Sequence, residues 1–317
     1  MLLKSILLII IGFALLIISA NILVEGSSGI AKKFHIPEII IGLTIVSIGT
    51  SMPELFVSIT SAIEGYSDMA IGNIVGSNLS NLLLILGLSA ILKPVVFQKE
   101  TKLYEIPMSL FFTILLMLFS NTKNEISRIE GLIFLFLFCF FLGYTIYMGK
   151  KESQKDLIEV NTKKSKNNSL IKNILLIIIS IIGLKIGGDF TVNNAVIIAK
   201  YFGVSEKIIS LTILAVGTSL PELVTSVTAA IKGNSDIAIG NIIGSNIFNI
   251  LLIIGISALI KPIFYNVSYN FDLSILILAT IILEIFPYIP PKDKMSRVNG
   301  FIYFLMYIIY LIILIKK

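Results

Sequence analysis

The chain has no tryptophan, one cysteine and one histidine, and only 14% of its 317 residues are charged. A lone cysteine excludes an intramolecular disulfide, and so few Cys and His residues leave no cluster for zinc or copper. Because 56% of the residues are hydrophobic, a soluble globule would expose too much apolar surface. The composition therefore predicts a membrane protein. We expect Cys139, inside an apolar run, to be a small core residue.

The net charge of +6 does not indicate a nucleic-acid partner, because the basic residues lie between apolar runs. Loops that face anionic lipid and cytoplasm carry such residues. About 20 apolar residues span a bilayer as a helix. The chain predicts an all-α integral membrane protein with ten such helices, at about 2–24, 37–63, 69–92, 103–120, 128–148, 171–197, 205–231, 237–260, 269–287 and 297–315.

The two halves of the chain repeat each other at an offset of 168 residues without a gap. The segment 49–54 reads GTSMPE and 217–222 reads GTSLPE, while 72–81 reads GNIVGSNLSN and 240–249 reads GNIIGSNIFN. Roughly 30 of the 47 positions in 48–94 are identical to those in 216–262. Residues 1–36 align with 169–204, so we interpret the N-terminus as a retained helix rather than a signal peptide.

Each half has five predicted spans, so the second half enters the membrane from the opposite side. This predicts two inverted-topology five-helix repeats, 1–149 and 173–317, joined by a polar linker at 150–172. The odd connections hold 16 of the 25 Lys and Arg residues, and the termini and even connections hold 8. By the positive-inside rule, both termini are extracellular and the linker is cytoplasmic.

Each GTSxPE motif contains a proline that breaks its helix. Pro53 has no N–H, so the carbonyl of Gly49 loses its partner, and we expect unpaired carbonyls around Ser47, Gly49 and Thr50. At bilayer depth such carbonyls need a protein-lined or wet cavity, and a bound cation is one way to satisfy them. The same reasoning applies to Pro221 and the residues before it.

Glu54 and Glu222 are the most informative residues, because an ionised acid inside the membrane is costly without a partner. Apart from Lys207 at the start of the span 205–231, their predicted spans and the spans that follow each of them contain no basic residue. Two carboxylates would be neutralised by one divalent ion, or approximately by two or three monovalent ions. The other polar groups nearby are all oxygen ligands, a set that suits a hard cation such as calcium.

The spans that follow carry a polar stripe at i, i+4 and i+8, a spacing that keeps side chains near one helix face. The stripe contains Asn73, Ser77 and Asn81 in the first copy, and Asn241, Ser245 and Asn249 in the second. Lys185 and Asp189 lie four residues apart and can pair along one helix, which we interpret as structural.

These paired motifs resemble the two alpha repeats of the calcium/cation antiporter superfamily, specifically its prokaryotic-type sodium/calcium exchanger branch. The resemblance covers nearly the whole chain. It implies that calcium is bound by Glu54, Glu222, Thr50 and Thr218. It implies sodium sites at Ser47, Ser51, Ser77, Ala215, Ser219 and Ser245 with the same two glutamates, and a central position lined by Asn73, Asn81, Asn241 and Asn249.

The resemblance implies a secondary antiporter of the cell membrane that exchanges sodium for calcium by alternating access, and not an enzyme. It implies no cofactor, and as partners only the transported ions and the lipid bilayer, with no obligate protein partner. A proton- or potassium-coupled antiporter of the same fold stays open, and a passive cation channel is a further alternative. Some potassium-dependent relatives have aspartate where this chain has Asn249, which argues against potassium.

Overall fold

The computed structural model describes residues 2–34, 36–159, 170–203 and 215–316, so His35 and part of the predicted linker lie outside it. The described chain is almost entirely helical. Its helices are α1 (Leu2–Phe34), α2 (Glu38–Thr50), α3 (Met52–Glu64), α4 (Ser67–Leu92), α5 (Thr101–Thr122), α6 (Arg128–Glu159), α7 (Leu170–Tyr201), α8 (Ala215–Thr218), α9 (Leu220–Lys232), α10 (Ser235–Ile260), α11 (Tyr269–Ile285) and α12 (Arg297–Lys316).

Eight helices in the described ranges are long and apolar enough to cross a membrane, and the bent pair α2 and α3 makes a ninth span. The chain is thus an all-helical, multi-pass membrane protein. The other predicted span covers 205–231, of which only the part from residue 215 is described. Two boundaries differ from prediction, because α1 continues to Phe34 and α6 continues to Glu159, through the first ten residues of the predicted linker.

The helices α4 and α10 form the centre of the molecule. Their most apolar stretches are 78% and 83% buried, against 28–39% for the other single-helix spans. The outer helices expose large apolar side chains such as Ile178 and Phe136, as a surface in contact with lipid requires. Cys139 is also exposed, so our expectation of a core residue was wrong. An apolar run alone does not separate a lipid-facing side chain from a core one.

Close glycine contacts join the two halves. A Cβ atom added at Gly300 in α12 would lie 2.6 Å from the carbonyl oxygen of Gly87 in α4. In the equivalent contact, a Cβ atom at Gly131 in α6 would lie 2.9 Å from the carbonyl oxygen of Gly255 in α10. Each half therefore packs its last helix against the central helix of the other half, backbone to backbone.

Two short antiparallel strand pairs also join the halves. Strand β1 (Val95–Val96) pairs with β4 (Lys294–Met295), and β2 (Glu125–Ile126) pairs with β3 (Ile263–Phe264). The strands lie in connections between membrane helices, with β1 and β2 at opposite ends of α5. The helices from α4 to α6 are thus tied to those from α10 to α12 at both ends of the bundle.

Candidate cation-binding site

The proline motifs break the helices where the sequence predicts. Helix α2 ends at Thr50 and α3 starts at Met52, with a bend of 51° between them. Ser51 at the break has φ −83° and ψ 8°, and Ser219 in the second copy has φ −87° and ψ 10°. One expectation was wrong: the carbonyl of Ser47 is paired, because it accepts a hydrogen bond from the Ser51 N–H at 3.0 Å.

Glu54 and Glu222 lie in the first turns of α3 and α9, and each is only 1% exposed. The positive end of the helix dipole stabilises a negative charge in that position. The two acids share a common set of neighbours, since each accepts a hydrogen bond from the serine that lies three residues before the other. The two ion pairs recorded for the described residues, Lys102–Asp293 and Lys185–Asp189, include neither of them. The structure thus brings both acids together inside the protein without a basic partner.

Each acid is held by a serine of the other repeat. The Ser219 hydroxyl donates to Glu54 Oε1 at 3.1 Å, and the Ser51 hydroxyl donates to Glu222 Oε1 at 2.8 Å. This exchange is possible only because the two helix breaks face each other. A site assembled in this way belongs to both repeats together.

The serines of the polar stripe complete this shell. The Ser77 hydroxyl donates to Glu54 Oε1 at 3.3 Å, and the hydroxyl oxygens of Ser245 and Ser51 lie 2.9 Å apart, within hydrogen-bond distance. Both serines are buried. Four of the five serines predicted to take part in sodium sites, Ser51, Ser77, Ser219 and Ser245, therefore lie around the two carboxylates.

Asn73 and Asn241 brace the helix breaks. Their side-chain amides donate to the hydroxyls of Ser58 and Ser226 respectively, each at 2.9 Å. Asn241 also accepts the Thr50 hydroxyl at 2.9 Å. Both amide groups are thus engaged by the neighbouring helix. Asn241 Oδ1 is thus occupied by the Thr50 hydroxyl, whereas the hydrogen bonds of Asn73 recorded among the described residues use only its nitrogen.

A second set of asparagines, which the sequence reasoning did not single out, lies between α4 and α10. Asn78 and Asn246 each donate to the backbone carbonyl of the other at 3.3 Å. Asn81 donates to Asn246 Oδ1 at 3.0 Å, and Asn249 donates to Asn78 Oδ1 at 2.9 Å. These two-fold-related bonds fix which way the amides of Asn81 and Asn249 face. Wider π-helical turns begin here, at Ser80 and Asn249, a departure from α-helix that is frequent at functional sites.

Four buried oxygens of this region have no hydrogen-bond partner in the described part of the protein, and they form two symmetry-related pairs. They are Glu54 Oε2, Glu222 Oε2, Asn81 Oδ1 and Asn249 Oδ1. A buried acceptor without a partner costs about 1–3 kcal/mol, and more if charged. Such a set is suited to a hard cation, which takes oxygen ligands and supplies the missing positive charge.

Two predicted residues are less informative. Thr218 is partly exposed and lines a cavity beside the helix break, together with Pro53 and Pro221. Ala215 starts α8, and in the predicted sodium site its ligand would be the backbone carbonyl. Neither position is tested as an ion ligand by the contacts that the structure records.

A sequence model of the family described as "Sodium/calcium exchanger protein" matches residues 4–147 and 172–316. CaxA of Alkalimonas amylolytica is 38% identical over 95% of this chain and 96% of its own length. The sodium/calcium exchanger MaX1 of Methanosarcina acetivorans is 31% identical over 97% of each chain. A solved structure of the sodium-calcium exchanger NCX_Mj superimposes with a TM-score of 0.85 at 30% identity, covering 99% of this chain and 100% of the other.

Proposed function

Since this chain belongs to the sodium/calcium exchanger family, whose members are exchangers rather than enzymes, we propose that it is a secondary antiporter that exchanges sodium for calcium. The observation that carries the proposal is the symmetric pair of buried acids, each held by a serine of the other repeat and each with one carboxylate oxygen unpartnered. In this proposal Glu54 and Glu222 bind calcium between them.

The other ligands follow from the same geometry. Thr50 and Thr218 assist in binding calcium through their carbonyls. Sodium ions bind on either side, and Asn81 and Asn249 line the central position with their free Oδ1 atoms. The sodium ligands are Ser51, Ser77, Ser219, Ser245, the carbonyls of Ser47 and Ala215, and the two glutamates. Ser47 O accepts a hydrogen bond from the Ser51 N–H, so sodium binding there uses the second lone pair of this carbonyl oxygen.

Exchange follows from competition for charge. Calcium and the sodium ions need the same two carboxylates, so they cannot all bind at once. Each ion neutralises the site in turn, and an empty site leaves two buried negative charges, which is costly inside the membrane. The proposed antiporter therefore changes its access mainly when it is loaded, and this couples the two fluxes.

The proposal includes the full topology. Ten spans form two inverted repeats, 1–149 and 173–317, joined by the linker 150–172. The protein lies in the cell membrane with both termini outside and the linker in the cytoplasm, as its basic residues favour. The helices α1 and α7 move against the remainder to alternate access. Their close contact, in which a Cβ atom added at Gly187 would lie 2.9 Å from the Gly12 carbonyl oxygen, supports motion as one unit.

Uptake of radiolabelled calcium into proteoliposomes tests the proposal. An outward sodium gradient should drive uptake, whereas a proton or potassium gradient alone should not. Equal uptake with either of those gradients would show that protons or potassium, rather than sodium, are the coupling ion. Calcium counterflow without any other gradient should also occur, since a carrier supports it and an open channel does not.

Glu54→Gln should abolish calcium uptake, because the neutral amide removes half of the site's negative charge. Glu64→Gln is the matched control, since Glu64 is exposed at the end of the same helix and lies outside the site. Full transport by Glu54→Gln would overturn the proposed site. A loss of transport in both variants would point to a general effect of charge instead.

A further inference from the structure

A cavity of about 420 Å³ lies beside the two helix breaks. Its wall includes Pro53 and Pro221, the residues next to the two glutamates, together with Gly217 and Thr218. The opposite wall is α7, which contributes Lys185 and Asp189. The glutamates are almost fully buried, so the cavity ends close to the site without opening into it.

The charged pair on this wall lies deep in the membrane. The apolar part of α7, Leu170–Ile198, has 29 residues and is therefore about 43 Å long, with Lys185 about 22 Å from its start. Lys185 Nζ lies 2.9 Å from Asp189 Oδ2, as predicted, yet the two side chains are 58% and 54% exposed. Ionisable groups at that depth face a water-filled cavity or the protein interior rather than lipid.

The pair is not part of the repeat. The equivalent positions in α1 are Ile17 and Asn21, whereas the two acids of the site and the serines and asparagines that contact them are duplicated. The fold therefore does not require a charge at this place. The contribution of the pair is confined to one half of the protein and to one cavity.

We propose that this cavity is a water-filled vestibule of the cation site, on the membrane side opposite the linker, and that the Lys185–Asp189 pair sets its electrostatic potential. Asp189 attracts cations into the vestibule, and Lys185 neutralises that attraction. The two residues thus control how strongly ions are concentrated before they reach the glutamates. The effect on exchange rests on the proposed function, whereas the vestibule and its potential do not.

The two charges have opposite effects on the potential of the vestibule, so the proposal predicts the direction in which each substitution changes it. Lys185→Met leaves Asp189 unpaired and makes the vestibule negative, while Asp189→Asn makes it positive. One unit charge about 10 Å away in water changes the local concentration of a monovalent ion about twofold. The energy is proportional to the charge of the ion, so the factor for a divalent ion is the square, about fourfold.

Reactivity of an introduced cysteine tests the vestibule without any transport. Asn193→Cys places a thiol on the cavity wall, in a Cys139→Ala background that removes the native cysteine. We expect water-soluble methanethiosulfonates to modify it, and the ratio of cationic to anionic reagent rates to rise with Lys185→Met and fall with Asp189→Asn. Ile182→Cys, on an exposed apolar position of the same helix, is the control that should not react. An Asn193→Cys variant that does not react, or an unchanged ratio, overturns the proposal.

Transport then tests the consequence. At subsaturating calcium, Lys185→Met should raise the initial uptake rate about fourfold, Asp189→Asn should lower it by a similar factor, and salt at about 0.5 M should reduce both effects. The double variant Lys185→Met with Asp189→Asn should return to the wild-type rate. Equal effects on sodium and calcium, or a double variant whose rate departs from wild type as much as that of either single variant, would indicate a structural role. Cysteine data as expected in a protein that carries no calcium would reject the proposed function and keep the vestibule.

Discussion

Asn78→Ala is the substitution that most directly tests how the site is organised. Asn78 does not face the ions in our account, but it holds Asn249, whose amide donates to Asn78 Oδ1 at 2.9 Å. It also donates to the backbone carbonyl of Asn246 at 3.3 Å. Alanine removes both bonds and allows the Asn249 amide to rotate, so that Asn249 Oδ1 is no longer fixed in its orientation.

The size of the effect follows from those two bonds. Hydrogen bonds between membrane helices contribute about 0.6 kcal/mol on average and up to about 1.7. The variant should therefore lose roughly 1–3 kcal/mol of stability and still fold. One misoriented oxygen ligand should cost the bound ion about as much as one hydrogen bond, so we expect calcium affinity to fall about tenfold, or about 1.4 kcal/mol.

Calorimetric titration of calcium into the purified protein measures this loss. The cycle compares Asn78→Ala, Asn249→Ala and the double variant. If Asn78 acts through Asn249, the double variant should bind calcium no more weakly than Asn249→Ala alone. Asn21→Ala is the control, because its amide bonds only within α1, to the carbonyl of Ile17. Unchanged affinity in Asn78→Ala, or fully additive effects, would refute the positioning role.

Two further predictions concern packing and ion binding. Gly244→Ala should destabilise the protein by roughly 1–3 kcal/mol in thermal unfolding, since its Cβ atom would lie 2.8 Å from Leu43 backbone atoms. The equivalent glycine of the first repeat has no described atom within 4 Å of its added Cβ atom, so Gly76→Ala should change stability little. Equal effects of the two substitutions would contradict this difference in packing. Calcium at about 100 times its Kd should stabilise the wild-type protein by about 2.7 kcal/mol, and Glu222→Gln should lose that thermal shift; a retained shift would mean that calcium binds elsewhere.

The sequence predicted much of the site because the duplication marks it. Glu54 and Glu222 stand alone in apolar spans, and the proline beside each fixes a helix break, so local chemistry was sufficient. Asn78 and Asn246 were not predicted as site residues, because each lies about 100° around its helix from the polar stripe of its own repeat. They can orient the amides of Asn81 and Asn249 only because α4 and α10 face each other, and only the tertiary structure shows that packing.

The same limit explains one of the two boundaries that differ from prediction, the end of α1. The predicted span 2–24 stops before residues 26–29, whose glycines and serines are weak helix formers. In the structure, Gly26 and Gly29 pack closely against Asn173 at the start of α7. That contact keeps the helix intact to Phe34, because tertiary packing overrides weak helix propensity.

The strand pairs between the halves have a consequence for biosynthesis. Strand β1 has its partner in β4, and Asn78 has its partner 168 residues later. At about 5–20 residues per second, a ribosome needs roughly 10–30 s to make that stretch. Throughout that interval the newly inserted first half carries Glu54 without Ser219. The nascent chain must therefore hold an acid with an incomplete set of partners in the bilayer until its second half is translated.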